Sequence, residues 1–135
     1  MPISKSLSRG VAMVGAGMSK FGAFAEKNTR DLFVEAFKEM KKTVDKGFDP
    51  SVIEALCIGN FSSDQFEHQA HIAPLLTDAI GLTPRPATRV EDACASGGVA
   101  LRQGILAVAS GQRTHSERHG LSENEFVPWQ PDAVL

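Results

Sequence analysis

The sequence predicts an α/β domain with a mainly parallel sheet and a buried helix. Three observations carry that expectation. Short apolar or β-branched runs at 11–14, 53–58 and 87–90 alternate with segments whose apolar residues recur at helical spacing. Glycines stand where several of these elements should stop. The last helical run, Ala95 to Ser110, is broken only by Arg102 and Gln103, the composition of a helix covered on nearly all sides. Strand–helix alternation of this kind is the layout of parallel sheets with helices on their faces.

Residues 1–9 are polar. Val11 to Val14 reads as a buried strand running into the glycine turn Gly15-Ala16-Gly17, and 18–28 as loop. Asn28 or Thr29 can cap a helix with Asp31 in its first turn, where a negative charge complements the helix dipole. Leu32, Phe33, Ala36, Phe37, Met40 and Val44 then define its apolar face, and Gly47 is placed to close it. Ile53 to Ile58 reads as a second buried strand stopped by Gly59-Asn60, with a loop after it from Phe61 to Glu67. A helix is expected from about Gln69 to Ile80, with Pro74 tolerated near its first turn and Gly81 as its stop. Pro84 and Pro86 force an extended path into Ala87–Val90, a third strand at a sheet edge. Gly97, Gly98 and Gly104 each cost the final helix about 1 kcal/mol relative to alanine, which points to close packing against it. From Gln112 to Asn124 almost nothing is apolar, and the apolar end from Phe126 to Pro131 carries two prolines, so no further strand is expected after Gly111.

Composition narrows the function classes. With 135 residues the chain is long enough for one domain with its own core. Hydrophobic residues at 42% and charged residues at 22% exclude a disordered tail. A formal net charge of −2 gives no electrostatic case for nucleic acid. Two cysteines, Cys57 and Cys94, form no CxxC pair or spaced framework, which suits a reducing compartment. The apolar stretch after Arg9 is short, holds two glycines and no leucine, and reads against a signal peptide. No run is long enough to span a membrane. A cytoplasmic protein is expected.

Cys94 is the candidate catalytic residue. It stands in Glu91-Asp92-Ala93-Cys94-Ala95-Ser96-Gly97-Gly98, where an extended segment passes into the start of the final helix. Unsatisfied N–H groups and the positive end of the helix dipole favour a thiolate there. A small buried hydrophobe at a strand–helix junction fits the same residues, and the motif alone leaves both readings open. Cys57, mid-strand between Leu56 and Ile58, reads as structural. Glu91 and Asp92 read as solvent-facing or capping groups without a catalytic role. Gly15-Ala16-Gly17 fails as a dinucleotide fingerprint because Lys20 stands where the third glycine belongs. The Gly17–Gly22 spacing fails as a phosphate loop because Ala23 replaces the lysine, so a tight turn is the expected role. His68 with His71, and His115 with His119, could each share a helix face, but no further ligand motif accompanies them and no metal site is expected.

Taken as a whole, 69–111 resembles the N-terminal half of thiolases. The resemblance rests on Ala73-Pro74-Leu75-Leu76, on Arg85-Pro86-Ala87-Thr88-Arg89-Val90 and above all on Ala93-Cys94-Ala95-Ser96-Gly97-Gly98-Val99-Ala100-Leu101. Gly10 to Gly15 and the helix from Thr29 fit the same pattern. The look is closest to the archaeal and sterol-carrier-protein-type branch of acetyl-CoA acetyltransferases. It implies a thiolase-like layered fold, incomplete here, with 1–111 a partial N-terminal domain and 112–135 an irregular tail foreign to the family. It implies acyl transfer through Cys94, an acyl-CoA thioester as substrate, no separate cofactor, and a homo-oligomer. The family's histidine in Gly-His-Pro and second cysteine in Cys-x-Gly have no counterpart in these 135 residues, so the chain alone is expected to be inactive. A condensing synthase of the same superfamily and a non-catalytic interaction or dimerisation module are the competing expectations.

Overall fold

The computed structural model describes residues 10–111 and the backbone of 125–126. It contains β1 (Ala12–Met13), α1 (Thr29–Lys42), a 3₁₀ turn (Pro50–Val52), β2 (Leu56–Gly59), α2 (Ser63–Phe66), α3 (Ile72–Ala79), β3 (Ala87–Val90), a second 3₁₀ turn (Ala93–Ala95), α4 (Ser96–Ala109) and β4 (Glu125–Phe126). β2 and β3 pair in parallel with Leu56 opposite Ala87 and Gly59 opposite Val90. α4 packs on both of these strands, and α3 packs on the same pair and on α1. The α/β layout with parallel pairing therefore stands.

Hydrophobic burial closes this arrangement around Phe33 of α1, Ile58 of β2, and Ile72, Ala73 and Leu76 of α3. Leu56, Leu75, Ile80 and Ala87 pack against them. The helix expected from Thr29 forms because its two ends are provided for. Asn28 accepts the Asp31 N–H at 3.0 Å and Asp31 accepts the Asn28 N–H at 3.1 Å, a reciprocal capping box. Lys41 and Lys42 occupy the last turn, where positive charge suits the carbonyl end. Gly47 does not cap α1. The helix ends at Lys42, and Gly47 closes a later turn onto the Val44 carbonyl with φ 78°. Gly81, with φ 73°, does stop α3, one residue past its C-cap.

Several expectations need correction. The first strand is not buried: only Ala12 and Met13 pair, and both are exposed. Its partner is β4, with Ala12 opposite Glu125 and Met13 opposite Phe126. Backbone pairing needs unpaired N–H and C=O groups rather than an apolar pattern, so composition does not signal that pair. Otherwise the reading of 112–135 as an irregular tail lies outside the described residues. Gly15 and Gly17 do not make a tight turn either. This stretch runs over α1, with the Ala16 N–H donating to Thr43 Oγ1 at 3.0 Å. A Cβ on Gly17 would stand 2.6 Å from the Met40 Cα and closer still to the Met40 nitrogen and Ala36 carbonyl oxygen.

The second strand begins at Leu56, because Pro50 starts a 3₁₀ turn that Asp49 caps through the Ser51 N–H at 2.9 Å. The expected loop 61–67 holds the one-turn helix α2. α3 is shorter than expected, starting at Ile72. α4 is buried along one stripe, Ser96, Ala100, Gly104 and Val108 with Gly97 and Ala109, and not all round. Leu101, Ile105 and Leu106 are half-buried. That stripe has the four-residue spacing of a helix lying on one sheet face.

Candidate active site

Cys94 lies in the 3₁₀ turn Ala93–Ala95, immediately ahead of α4, and it is exposed. The position agrees with the sequence expectation of a strand-to-helix junction, and the buried-hydrophobe reading fails on the exposure. β3 ends four residues earlier at Val90. Within those few residues the chain must turn from the sheet into the helix, and Ala93 does so with φ 44°. A non-glycine residue in that region is uncommon and needs surrounding contacts to hold it.

The contacts are specific. Ser96, fully buried, accepts the Asp92 N–H on its Oγ at 2.9 Å and donates the same hydroxyl to the Ala93 carbonyl at 2.7 Å. Glu91 Oε1 accepts the Ala93 N–H at 2.7 Å, and the Asp92 carbonyl accepts the Ala95 N–H at 2.8 Å. Glu91 therefore braces the turn rather than capping α4, and the Asp92 side chain makes no cap bond. These bonds enclose Cys94 on both sides in sequence while leaving its sulfur open. The N–H groups of Asp92, Ala93, Ala95 and Ser96 are all taken up inside the turn. The Cys94 N–H takes part in none of these bonds.

Below the turn, β2 comes close. Gly59 is its last residue, buried, and the backbone of Ser96 and Gly97 rests directly against it. The next residue, Asn60, donates its N–H to the Val90 carbonyl at 3.1 Å and accepts the Ser63 N–H on Oδ1 at 3.1 Å. Arg89 ties this loop to β3: its Nε donates to the Asn60 carbonyl at 2.8 Å and its Nη2 to Asp64 Oδ1 at 3.1 Å. The Arg89 hydrogen bond is the main cause that holds the Asp64 carboxyl below its ordinary value of 3.8. In the sequence Gly59-Asn60 reads only as a strand stop, and Ser96 does not stand out. The close approach of two backbones leaves no local signal beyond the glycine itself.

The other candidates are not brought to this site. Cys57 is half-buried within β2. His68, with φ 53°, lies outside a helix and His71 is the residue preceding α3, so the two do not share a helix face. His115 and His119 lie outside the described residues. Among the described residues no group of three or more His, Cys, Asp and Glu side chains gathers as metal ligands, and no helix is long and apolar enough to cross a membrane.

Comparison with known proteins gives a consistent picture. The family described as Thiolase, N-terminal domain, matches residues 11–115. The acetyl-CoA acetyltransferase of Methanothermobacter thermautotrophicus is 47% identical over 103 residues, which are 76% of this chain and 26% of that protein. The acetyl-CoA acetyltransferase of Methanocaldococcus jannaschii is 48% identical over 103 residues, with the same coverage of both chains. The chain thus spans about a quarter of the length of these relatives.

Proposed function

The chain belongs to the thiolase family through its N-terminal domain, and from that premise we propose that Cys94 is the nucleophile that accepts an acyl group from an acyl-CoA thioester. The observation that carries the proposal is the exposed sulfur of Cys94 in a braced turn at the head of α4. In the proposed step the Cys94 thiol first gives up its proton to solvent, and the thiolate sulfur then forms a bond to the acyl carbon. The bond from that carbon to the CoA sulfur breaks, and CoA leaves as its thiolate. Covalent catalysis of this kind divides one difficult exchange into two easier ones. Negative charge develops on the thioester oxygen during the attack, and the Cys94 N–H, which none of the turn's bonds uses, is the donor we assign to it.

Completing the cycle needs a second acyl-CoA, or CoA in the breakdown direction, and a group to move its proton. The family resemblance assigns activation of the nucleophile to a Gly-His-Pro histidine and proton transfer to a Cys-x-Gly cysteine, and neither segment occurs in these 135 residues. We therefore propose that the chain by itself is acylated once and does not turn over. No cofactor beyond the thioester substrate enters this scheme. A condensing synthase would share the acylation step and differ in the second half of its cycle. Self-association is proposed as well, supported by the exposed Met13, Met18, Phe21, Phe61 and Phe66 side chains.

The test is to mix the purified chain with acetyl-CoA and monitor released CoA thiol against time. CoA release that stops at or below one equivalent and is absent in Cys94→Ser supports the reading, and no release from wild type contradicts it. Continuous cleavage of acetoacetyl-CoA by the same chain, or equal CoA release from Cys94→Ser, contradicts it.

A further inference from the structure

Gly59 belongs to a different strand from the one that leads into the cysteine, yet it touches the turn that carries it. A Cβ built on Gly59 would lie 2.5 Å from the Ser96 carbonyl carbon and 2.6 Å from the Gly97 nitrogen, and closer still to the Ser96 oxygen. All three are backbone atoms, so no side-chain rotation relieves the contact. We infer that Gly59 is a positioning residue for Cys94: its missing side chain seats the first turn of α4 on β2, and that seat sets where the sulfur stands. The inference rests on the reading of Cys94 as the acyl acceptor.

Neither side of the seat is free to retreat. Gly59 pairs with Val90 in the β2–β3 register, and the Asn60 N–H beyond it is bonded to the Val90 carbonyl. On the helix side, Ser96 is fully buried and its hydroxyl bridges the Asp92 N–H and the Ala93 carbonyl. Any lift of Ser96 away from β2 therefore pulls on both residues that precede Cys94. Widening the Gly97 contact from 2.6 Å to the ordinary 3.4 Å moves the turn by about 0.8 Å, and the nearer Ser96 atoms require slightly more. A misplacement of about 1 Å at a reacting group costs roughly a hundredfold in rate. Gly98 supplies the control: it lies in the same first turn, is exposed, and a Cβ there meets nothing within 4 Å.

The experiment measures two rates at Cys94 in the whole chain, acetylation by acetyl-CoA and alkylation by iodoacetamide. The variants are Gly59→Ala, Ser96→Ala and Gly98→Ala. Acetylation needs the sulfur correctly placed, whereas alkylation needs only exposure. The expected result is a loss of roughly tenfold to a hundredfold in acetylation for Gly59→Ala. Its alkylation should stay within about threefold and its far-ultraviolet circular dichroism should be retained, while Gly98→Ala matches wild type in both rates. Should Gly59→Ala not fold, Ser96→Ala decides: it adds no bulk, and its acetylation should fall about tenfold while alkylation holds. Wild-type acetylation in a folded Gly59→Ala, or in Ser96→Ala, overturns the inference and leaves the acyl-acceptor reading standing. No acetylation of wild-type Cys94 overturns both.

Discussion

Gly17→Ala is the substitution that separates a glycine kept for a turn from a glycine kept for contact. Gly17 is not among the glycines with positive φ, so alanine suits its backbone. The difficulty is space. The new methyl would sit 2.6 Å from the Met40 Cα, where ordinary contact begins near 3.4 Å, and closer to two other backbone atoms, so at least about 0.8 Å must open between the 15–17 segment and α1. The obstructing atoms belong to the backbone of Ala36 and Met40, in the second half of the helix, and no rotamer change helps. Ala36 and Met40 are buried, and so is Phe33 on the same face, so displacing the helix disturbs packing on its buried side. Overpacking of a close contact costs about 1–3 kcal/mol, and the backbone location puts this case near 3 kcal/mol. Gly98→Ala meets open space inside a helix and should gain about 1 kcal/mol. Urea denaturation monitored by circular dichroism reads both differences as midpoint shifts at constant slope. A Gly17→Ala protein within about 0.5 kcal/mol of wild type would refute the seating of 15–17 on α1.

Three other perturbations have definite expected outcomes. Leu76 is fully buried among Phe33, Ile58 and Ile72, so Leu76→Ala should cost about 3 kcal/mol in urea denaturation, and a loss under about 1 kcal/mol would contradict that core. Asn28→Ala removes the N-cap acceptor of α1 and should cost about 1 kcal/mol by the same measurement. The lowered Asp64 pKa fixes a sign: a carboxyl that is more acidic folded than unfolded stabilises fully above 3.8, and the benefit is lost as pH falls below it. Wild type should therefore lose stability more steeply than Asp64→Asn in that acid range, and parallel acid curves would show that the Arg89 bond is not formed in solution.

The parts of the fold written in local pattern are legible in the sequence. α1 shows its cap at Asn28, its buried spacing at Phe33, Ala36 and Met40, and its basic end at Lys41 and Lys42. β3 is legible at its observed bounds, because Pro84 and Pro86 fix an extended approach. Cys94 stands out for a similar reason, since a strand run and a helix run meet there. Features decided by contacts distant in sequence escape such reading. The exposure of β1 depends on what lies over Ala12 and Met13, not on their own hydrophobicity. The roles of Gly17 and Gly59 lie in backbones that approach from 19 or more residues away, and a lone glycine does not announce its neighbour. Ser96 hides because a serine in a helix start reads as a local cap. Here it reaches back to Asp92 and Ala93 instead.

Where an acetyl group goes is the most direct test of Cys94 as the acyl acceptor. Trypsin cleavage after Arg89 and Arg102 releases the segment Val90–Arg102, which contains Cys94 and no lysine, apart from the segment that holds Cys57. After exposure to isotope-labelled acetyl-CoA, the label should reside on that segment and be removed by neutral hydroxylamine, as a thioester is. Label confined to lysines, or found equally on Cys57, would contradict the assignment.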